Sequence, residues 1–452
     1  QVVSWPPPGL RAAGPAHCWE CGKVSEGGWR APNGQHYCSG CWEHWHSLPE
    51  DVPVPSWPSA SRPQGGWKRK KATFCRLVPG RQSCSCCEPD DPTGLTWTGY
   101  EDSWFFSAEE LRELRGAKYC DAHAHLDIIL QNKKHGGLGW DTKQKLCKWF
   151  LASGRCPFHS YCSFAHGREE LRGRQPLDRG DVESCLRAFA AGRREGGKDG
   201  GVDDGEGSEG PVLRCVVTNC CEVLGIPDTR LILELAAAQG LDTVRATFGC
   251  HPHDYRDYSD EMEARFLAEV DAHGSRVVAW GECGLDYCKN YYESQDPKER
   301  QLMLDGFSRQ ARIAASRRLP LIVHTRDAEG DTMDVLRACL PREHKIHIHA
   351  YQGNSDMMKQ ALEWFPNCVF GASSMLLSTY PSEGCQATAR DCPLERLVLE
   401  TDAPYLANWS HDVPKIAKKV AEMKGLTTLQ VLEATTANCL RFYGVSQSDG
   451  AA

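Results

Sequence analysis

Residues 121–127 read DAHAHLD and close a short apolar run that begins near Lys118. Residues two apart in a β-strand project from the same face, so the pattern predicts that His123 and His125 point together while Leu126 turns into the packing. Two neighbouring imidazoles are typical of a metal site, and a pair of hydrogen-bonded histidines at a strand end is the alternative. The polar residues of the later strands decide between the two.

From Val212 onward, short β-branched runs alternate with helical stretches. Together with residues 119–123, the candidate strands are 213–218, 243–249, 276–282, 320–324, 345–349, 368–371 and 397–402. Helices are predicted at 178–191, 229–239, 261–273, 298–317, 333–340, 357–364, 413–424 and 429–443. This alternation predicts an α/β fold, a parallel (β/α)8 TIM-type barrel, with a doubly wound sheet as the alternative.

Polar residues that suit a metal end or follow six of these strands. They are His123, His125, His251, His253, Glu282, His324, His349 and Asp402. In a barrel, the ends of all the strands meet at one rim, which is where catalytic groups sit. Packing alone does not explain so many candidate ligands at one rim, so the sequence favours a metal site over the hydrogen-bonded pair.

The motifs on these strands resemble those of the TatD metal-dependent deoxyribonucleases: DAHAHLD, TFGCHPH, GECGLDY, VHTRDA, HIHAYQG and LETDAPYL. The resemblance covers about residues 118–443 apart from an insertion, with barrel segments at 118–130 and 212–445, and looks closest to a eukaryotic branch of the family. It implies a nuclease that hydrolyses phosphodiester bonds from a 3' end.

The resemblance also implies a ligand set for two divalent ions, which Mg2+, Mn2+ or Zn2+ would fit. One ion is bound by His123 and His125, and Glu282 bridges to a second ion held by His324 and His349. Asp402 is a further ligand and the general base that orients the attacking water, so Glu282 and Asp402 are the expected catalytic residues.

Two features of the motifs leave the roles of individual residues open. His349, and not His347, is the motif histidine, but the AYQG that follows it departs from the family's Cys-Phe-Ser/Thr-Gly. For His251, His253 and Arg326, the expected role is contact with phosphate or support of a ligand, and ordinary hydrogen bonding is the alternative.

An insertion after the first strand, residues 143–174, predicts a zinc finger. Its candidate ligands are Cys147, Cys156, Cys162 and His166, and their spacing resembles CCCH fingers that bind single-stranded RNA. Phe158 and Phe164 are the expected base-stacking rings, and neighbouring cations, Arg174 among them, would follow the phosphates. Because such a module raises the local concentration of RNA, we expect RNA, or RNA paired with DNA, to be a substrate beside DNA.

The N-terminal region, residues 1–110, is rich in Trp and Cys and predicts a small zinc-stapled module. Four of its cysteines have the spacing of a zinc site: Cys18, Cys21, Cys38 and Cys41. A second cluster is either another zinc site or a loosely ordered segment: Cys75, Cys84, Cys86 and Cys87. Residues 192–210 are Gly-rich with mixed charge and predict a disordered loop.

The composition of the chain limits the classes of protein to which it can belong. The chain has 452 residues, 24 cysteines and a formal net charge of -8, which excludes a uniformly basic nucleic-acid-coating protein. Neither a signal peptide nor a long apolar run is visible, so the expected location is intracellular, nuclear or cytoplasmic, with zinc rather than disulfides at the cysteines. Protein partners of the N-terminal module are left open.

Two other functions compete with a nuclease. One is a non-catalytic RNA-binding protein on a barrel scaffold. The other is a different metallohydrolase of the amidohydrolase group, many of which carry a carboxylated Lys on strand four, where this chain has Glu282.

Overall fold

The computed structural model describes the backbone of five short N-terminal strands and most of the chain from residue 105. The described ranges there are 105–134, 147, 150, 165–167, 170, 174, 176–191, 210–288, 296–378, 381–406 and 410–446. The chain divides into two units, Gln1–Phe74 and Cys75–Ala452. Among the helices of the described ranges, none has the length and apolarity needed to cross a membrane.

The N-terminal unit contains two small antiparallel sheets. Its strands are β1 (Leu10–Arg11), β2 (Pro15–His17), β3 (Val24–Glu26), β4 (Trp29–Arg30) and β5 (His36–Tyr37). β4 pairs with β1 and β5, and β2 pairs with β3. The cysteines of both predicted N-terminal clusters lie outside the described residues, and so does most of the predicted loop at 192–210.

The second unit is built on an eight-stranded parallel sheet. Its strands are β6 (Lys118–Ala124), β7 (Val212–Cys220), β8 (Val244–Phe248), β9 (Val277–Asp286), β10 (Leu321–Arg326), β11 (Ile346–Ile348), β12 (Cys368–Ser373) and β13 (Leu397–Glu400). Neighbours in the sheet are also neighbours in the sequence, from β6 to β13. Just beyond β13, the Asp402 N–H donates to the His123 carbonyl oxygen at 2.9 Å and joins the last strand to the first. The predicted barrel is therefore confirmed, since a doubly wound sheet would reverse its strand order.

Helices surround these strands. They are α1 (Ala108–Glu113), α2 (Leu126–Lys134), α3 (Arg179–Ala191), α4 (Ile226–Ala238), α5 (Asp260–His273), α6 (Pro297–Arg317), α7 (Glu329–Cys339), α8 (Ser355–Trp364), α9 (Glu383–Asp391), α10 (Val413–Lys424) and α11 (Thr428–Tyr443). Several begin at a side-chain cap, as at Ser107 and Thr427, whose hydroxyls each belong to a capping box. The helices α1, α2 and α9 were not predicted from the sequence, and each is only six to nine residues long.

The end of α11 lies at the amino ends of the barrel strands. Thr436 Oγ1 donates to the Lys118 carbonyl oxygen at the start of β6, at 3.0 Å. Lys345 Nζ, just before β11, donates to the Phe442 carbonyl oxygen at 2.7 Å. Phe442 and Tyr443 pack with buried side chains of six barrel strands. The last helix thus closes the amino end of the barrel, and the carboxyl end is left for the site.

Candidate metal centre

Glu282 lies at the centre of a buried cluster at the carboxyl end of the barrel. Its Oε1 atom is 2.8 Å from His324 Nδ1, 3.5 Å from His349 Nε2 and 3.6 Å from His251 Nε2. Its Oε2 atom is 3.3 Å from His123 Nε2. Side chains from β6, β9 and β10, and from the residues that follow β8 and β11, therefore converge on one carboxylate.

Asp402 forms a second contact point at the edge of this cluster. Its Oδ1 atom is 3.3 Å from His125 Nε2 and 3.6 Å from His123 Nε2, and its Oδ2 atom is 3.7 Å from His349 Nε2. The backbone at Asp402 is left-handed, with a φ of 54°, and the next residue accepts a hydrogen bond of 2.8 Å from the His125 N–H. A strained backbone that is held by the first strand thus aims this carboxylate at the histidines.

Within the described ranges, three sets of side chains could hold a metal ion, because in each the ligand atoms all lie within 4.8 Å of one another. The sets are His123, His125 and Asp402; His123, Glu282 and His349; and His251, Glu282 and His324. The resemblance to the TatD enzymes implied six of these seven residues as ligands, and it grouped His324 with His349. His251 was expected to contact phosphate or to support a ligand.

The protonation of the imidazoles suits metal ligands. His125 Nδ1 lies 2.9 Å from the Asn219 carbonyl oxygen, which can only accept, so this nitrogen carries the proton and leaves the Nε2 lone pair facing Asp402. Burial and the neighbouring His349 lower the pKa of His123 to about 4, so its imidazole is neutral at pH 7. Neither His123 nitrogen makes a hydrogen bond within the described part of the chain, although the ring is fully buried. An orphaned neutral imidazole among carboxylates fits a divalent cation.

The charges of the cluster also favour a cation. Burial would lower the pKa of His349, but the carboxylates of Glu400, Glu282 and Asp402 raise it to about 9. Burial would likewise raise the pKa of Glu282, but His349, His251 and His123 hold it well below its ordinary value. The site therefore holds ionised carboxylates that require positive charge around them, which is the environment of a metal ion in proteins.

His253 and Arg326 are the remaining predicted contacts. His253 Nε2 lies 2.7 Å from Asp286 Oδ2, and the same oxygen is 3.2 Å from His324 Nε2. A guanidinium N–H of Arg326 donates to the Thr325 carbonyl oxygen at 2.8 Å. Thus His253 joins the cluster through Asp286, and Arg326 follows His324 by two residues at the end of β10.

Four residues near the cluster were not identified from the sequence. Asp286 lies four residues after Glu282, and Glu400 lies two residues before Asp402. Because residues an even number apart in a strand share a face, the sequence pattern could have identified both. Cys221 Sγ lies 3.8 Å from Glu282 Oε2, and the Tyr405 ring lies edge-on to His125 with centroids 5.0 Å apart. Nothing in the local pattern marks these last two.

The structure describes only part of the predicted finger. Cys147 is buried and its Sγ accepts a hydrogen bond of 3.4 Å from the Phe150 N–H. The Phe150 ring stacks on His166 with centroids 4.7 Å apart, and His166 Nε2 is buried without a hydrogen bond to the described residues. The other predicted finger residues lie outside the described ranges: Cys156, Phe158, Cys162 and Phe164.

Arg174, at the end of the insertion, is not the free phosphate contact that the sequence suggested. Its Nη2 lies 2.7 Å from Asp127 Oδ2, its Nε 2.6 Å from Asp228 Oδ2 and its Nη1 3.3 Å from Glu222 Oε1. The side chain is only 6% exposed. Because Asp127 lies two residues beyond His125, this buried ion-pair cluster fixes the end of the insertion beside the end of β6.

One protein family and several known proteins are similar to this chain. The family described as "TatD related DNase" matches residues 206–444. The chain is 33% identical to the human "3'-5' RNA nuclease TATDN2" over 45% of this chain and 27% of that protein. It is 33% identical to the "3'-5' ssDNA/RNA exonuclease TatD" of Dickeya dadantii over 38% of this chain and 61% of that protein. The chain thus spans less than two thirds of the length of each of these curated relatives.

Among solved structures, the chain is similar to a TatD family hydrolase from Entamoeba histolytica. The TM-score is 0.48 and the sequence identity 16%, over 73% of this chain and 99% of that chain.

Proposed function

The chain belongs to the TatD family of related DNases, and on this basis we propose that it is a metal-dependent nuclease that hydrolyses phosphodiester bonds of nucleic acid. The observation that carries the proposal is the convergence of four imidazoles on the buried carboxylate of Glu282. A scaffold without catalysis would have no need of this arrangement, and an amidohydrolase of the carboxylated-lysine type would need Lys on β9.

We propose that two divalent ions bind here, with Mg2+, Mn2+ and Zn2+ as the candidates. Their ligands would be His123, His125, Glu282, His324, His349 and Asp402, and the position of His251 beside Glu282 and His324 supports it as a further ligand. When bound, such ions supply a water of lowered pKa and positive charge for the phosphate oxygens.

Asp402 is the proposed general base. Burial would raise its pKa, but His349, His125 and His123 hold it below its ordinary value, so it is ionised at neutral pH and can take a proton from the attacking water. Glu282 holds the imidazoles in place from the centre of the cluster. His253 and Arg326 are proposed to contact the phosphate or to support the ligands, and the contact of His253 with Asp286 favours the second role for it.

The substrate is proposed to be DNA, with RNA or an RNA–DNA hybrid beside it, cleaved from a 3' end. The human and Dickeya dadantii relatives are described as 3'-5' nucleases of RNA or of single-stranded DNA and RNA, which supports this polarity. Tyr405 supports an unpaired substrate, because its ring is 59% exposed and lies beside His125, where a terminal base would stack on it.

The insertion is proposed to be a zinc finger that captures single-stranded nucleic acid. Cys147, Cys156, Cys162 and His166 would bind zinc, with Phe158 and Phe164 as base-stacking rings. Zinc ligation is supported by the buried Cys147 sulfur, which accepts a backbone N–H, and by His166 Nε2, which is buried with no hydrogen bond to any residue that the structure describes. A second structural zinc is proposed at Cys18, Cys21, Cys38 and Cys41 on their spacing alone.

Cleavage of end-labelled oligonucleotides tests the proposed function. Metal-stripped protein is incubated with single-stranded DNA, single-stranded RNA and a hybrid, with Mg2+, Mn2+ or Zn2+ added separately. We expect stepwise shortening from the 3' end that stops with a chelator and returns with at least one ion. Binding of the strands without turnover under every ion would instead favour the non-catalytic RNA-binding protein. Turnover of phosphotriesters, lactones or cyclic amides alone would favour an amidohydrolase.

Removing the finger should change the balance between substrates. Deleting residues 146–172 spares Arg174 and its ion pairs, so the barrel rim stays intact. We expect cleavage of RNA to fall about tenfold or more relative to DNA, because stacking of each base contributes about 1–3 kcal/mol. The double substitution Phe158→Ala and Phe164→Ala keeps the zinc ligands. It should also lower cleavage of RNA relative to DNA. An unchanged ratio of RNA to DNA cleavage in both variants would contradict capture by the finger.

A further inference from the structure

A line of buried polar groups runs through the barrel below the metal centre. It begins at Tyr443, near the end of α11, whose hydroxyl lies 2.8 Å from His347 Nδ1. His347 Nε2 lies 3.1 Å from Glu400 Oε2, and Glu400 Oε1 lies 3.2 Å from His349 Nδ1. Both His347 and Glu400 are fully buried. A line of this kind is costly to bury and requires an explanation.

The upper half of the line sets which nitrogen of His349 faces the metal centre. Glu400 meets the Nδ1 side of the ring, and Nε2 faces Glu282 at 3.5 Å and Asp402 at 3.7 Å. A carboxylate beside Nδ1 favours a proton on that nitrogen, so the lone pair lies on Nε2 once the ring gives up its second proton. This is the state in which His349 is ready to bind a metal ion.

The lower half of the line holds Glu400 in position. Its Oε1 atom also accepts a hydrogen bond from the backbone N–H of Ala350. A Cβ at Gly371 would collide with the Glu400 carboxylate, so the glycine on the neighbouring strand makes room for it. His347 then contacts the second oxygen, Oε2. The Tyr443 hydroxyl, which also donates to the Ala122 carbonyl oxygen at 3.4 Å, lies against His347 Nδ1 and keeps the Nε2 side of the ring facing the carboxylate.

We propose that His347 is a positioning residue for the metal centre. It acts through Glu400, whose orientation determines that His349 presents Nε2 to the metal, and Tyr443 holds the His347 ring in place. The sequence motif excludes His347 as a ligand, and the structure gives it this separate role. The inference rests on the proposed function only in taking His349 as a metal ligand.

The test uses the 452-residue chain, stripped of metal and then given two equivalents of Zn2+ to fill the proposed cysteine sites. Co2+ binding at the barrel is measured by visible absorption, together with nuclease kinetics. His347→Leu should weaken Co2+ binding about 10- to 100-fold, the usual effect of losing a partner behind a metal ligand. The Co2+ absorption band should change as well, because His349 is no longer held in one orientation. For cleavage, kcat should fall while KM changes little, since His347 does not reach the substrate.

Two matched variants separate positioning from general damage to the core. His347→Gln keeps an N–H near the position of Nε2, so it should recover Co2+ affinity to within about threefold of the parent. His344→Leu removes another buried histidine, before β11 and outside the polar line, and should leave Co2+ affinity and the absorption band unchanged. If His347→Leu does not fold, Tyr443→Phe, which removes only the hydroxyl, should still lower the affinity.

Three results would overturn the proposal. The first is a Co2+ affinity like that of the parent in both His347→Leu and Tyr443→Phe. The second is a loss of Co2+ affinity in His344→Leu as large as that in His347→Leu. The third is a Co2+ affinity in His347→Gln that is no higher than in His347→Leu. If the parent protein bound no Co2+ at all, the proposed function itself would fail, and the role of His347 with it. The Co2+ affinity of the unsubstituted protein therefore distinguishes the failure of the proposed function from the failure of this inference.

Discussion

Replacing Glu282 with glutamine is expected to lower kcat/KM for cleavage of nucleic acid by about a thousandfold or more. The amide keeps the shape of the side chain but removes the negative charge on which His123, His251, His324 and His349 converge. An amide is also a poor partner for a divalent ion beside imidazoles. Single-turnover cleavage of 3'-end-labelled DNA, with metal binding measured by calorimetry, tests the expectation.

Glu269→Gln is the matched control for Glu282→Gln. Glu269 is also a buried carboxylate near a histidine and an arginine, but it lies on α5, outside the barrel. We expect this variant to keep metal affinity and cleavage near those of the parent. Full nuclease activity in a clean preparation of the Glu282 variant would contradict the proposed site.

Replacing Arg174 with methionine is expected to lower the free energy of unfolding by about 3–5 kcal/mol, the cost of breaking a buried ion pair. The substitution leaves Asp127 and Asp228 almost fully buried without their cation. Gln131 Nε2 and the Leu177 N–H also donate to Asp228, but neither carries a charge. Urea unfolding at pH 7, followed by circular dichroism, measures the change.

Arg179→Met is the control for this change, because Arg179 is exposed and its one ion pair with a described residue is to Glu183, one helical turn away. Its expected cost is at most about 0.5 kcal/mol. Adding Asp228→Asn to Arg174→Met should recover part of the lost stability, since one buried charge is removed. A loss of less than about 1 kcal/mol in Arg174→Met would show that the buried carboxylates do not depend on this cation.

Much of the barrel was predictable because its signals are local. Strand residues are short β-branched runs, helices follow them, and the candidate ligands fall at or just beyond the ends of strands. Glu282 is an exception, since β9 continues to Asp286 and the carboxylate lies within the strand. A strand boundary depends on pairing with its neighbours, and the composition of GECGLDY does not mark where that pairing stops.

Other features could not be predicted because they join residues that are distant in the sequence. Arg174 was expected among the cations of the finger, and its three carboxylate partners come from α2, α4 and the turn after β7. His347 was excluded as a ligand by the motif, but its contacts with Glu400 and Tyr443 depend on closure of the barrel and on the docking of α11.

The sequence by itself determined the residue types and their order: the histidines and carboxylates, their strands, and hence the kind of fold and chemistry. Only the tertiary structure decided which nitrogen of each imidazole faces the cluster and which carboxylate each one meets. The reason is physical, because strand periodicity sets only the face on which a side chain lies. Its tautomer and its partner are set by polar contacts with other strands, as with Asn219 for His125 and Glu400 for His349.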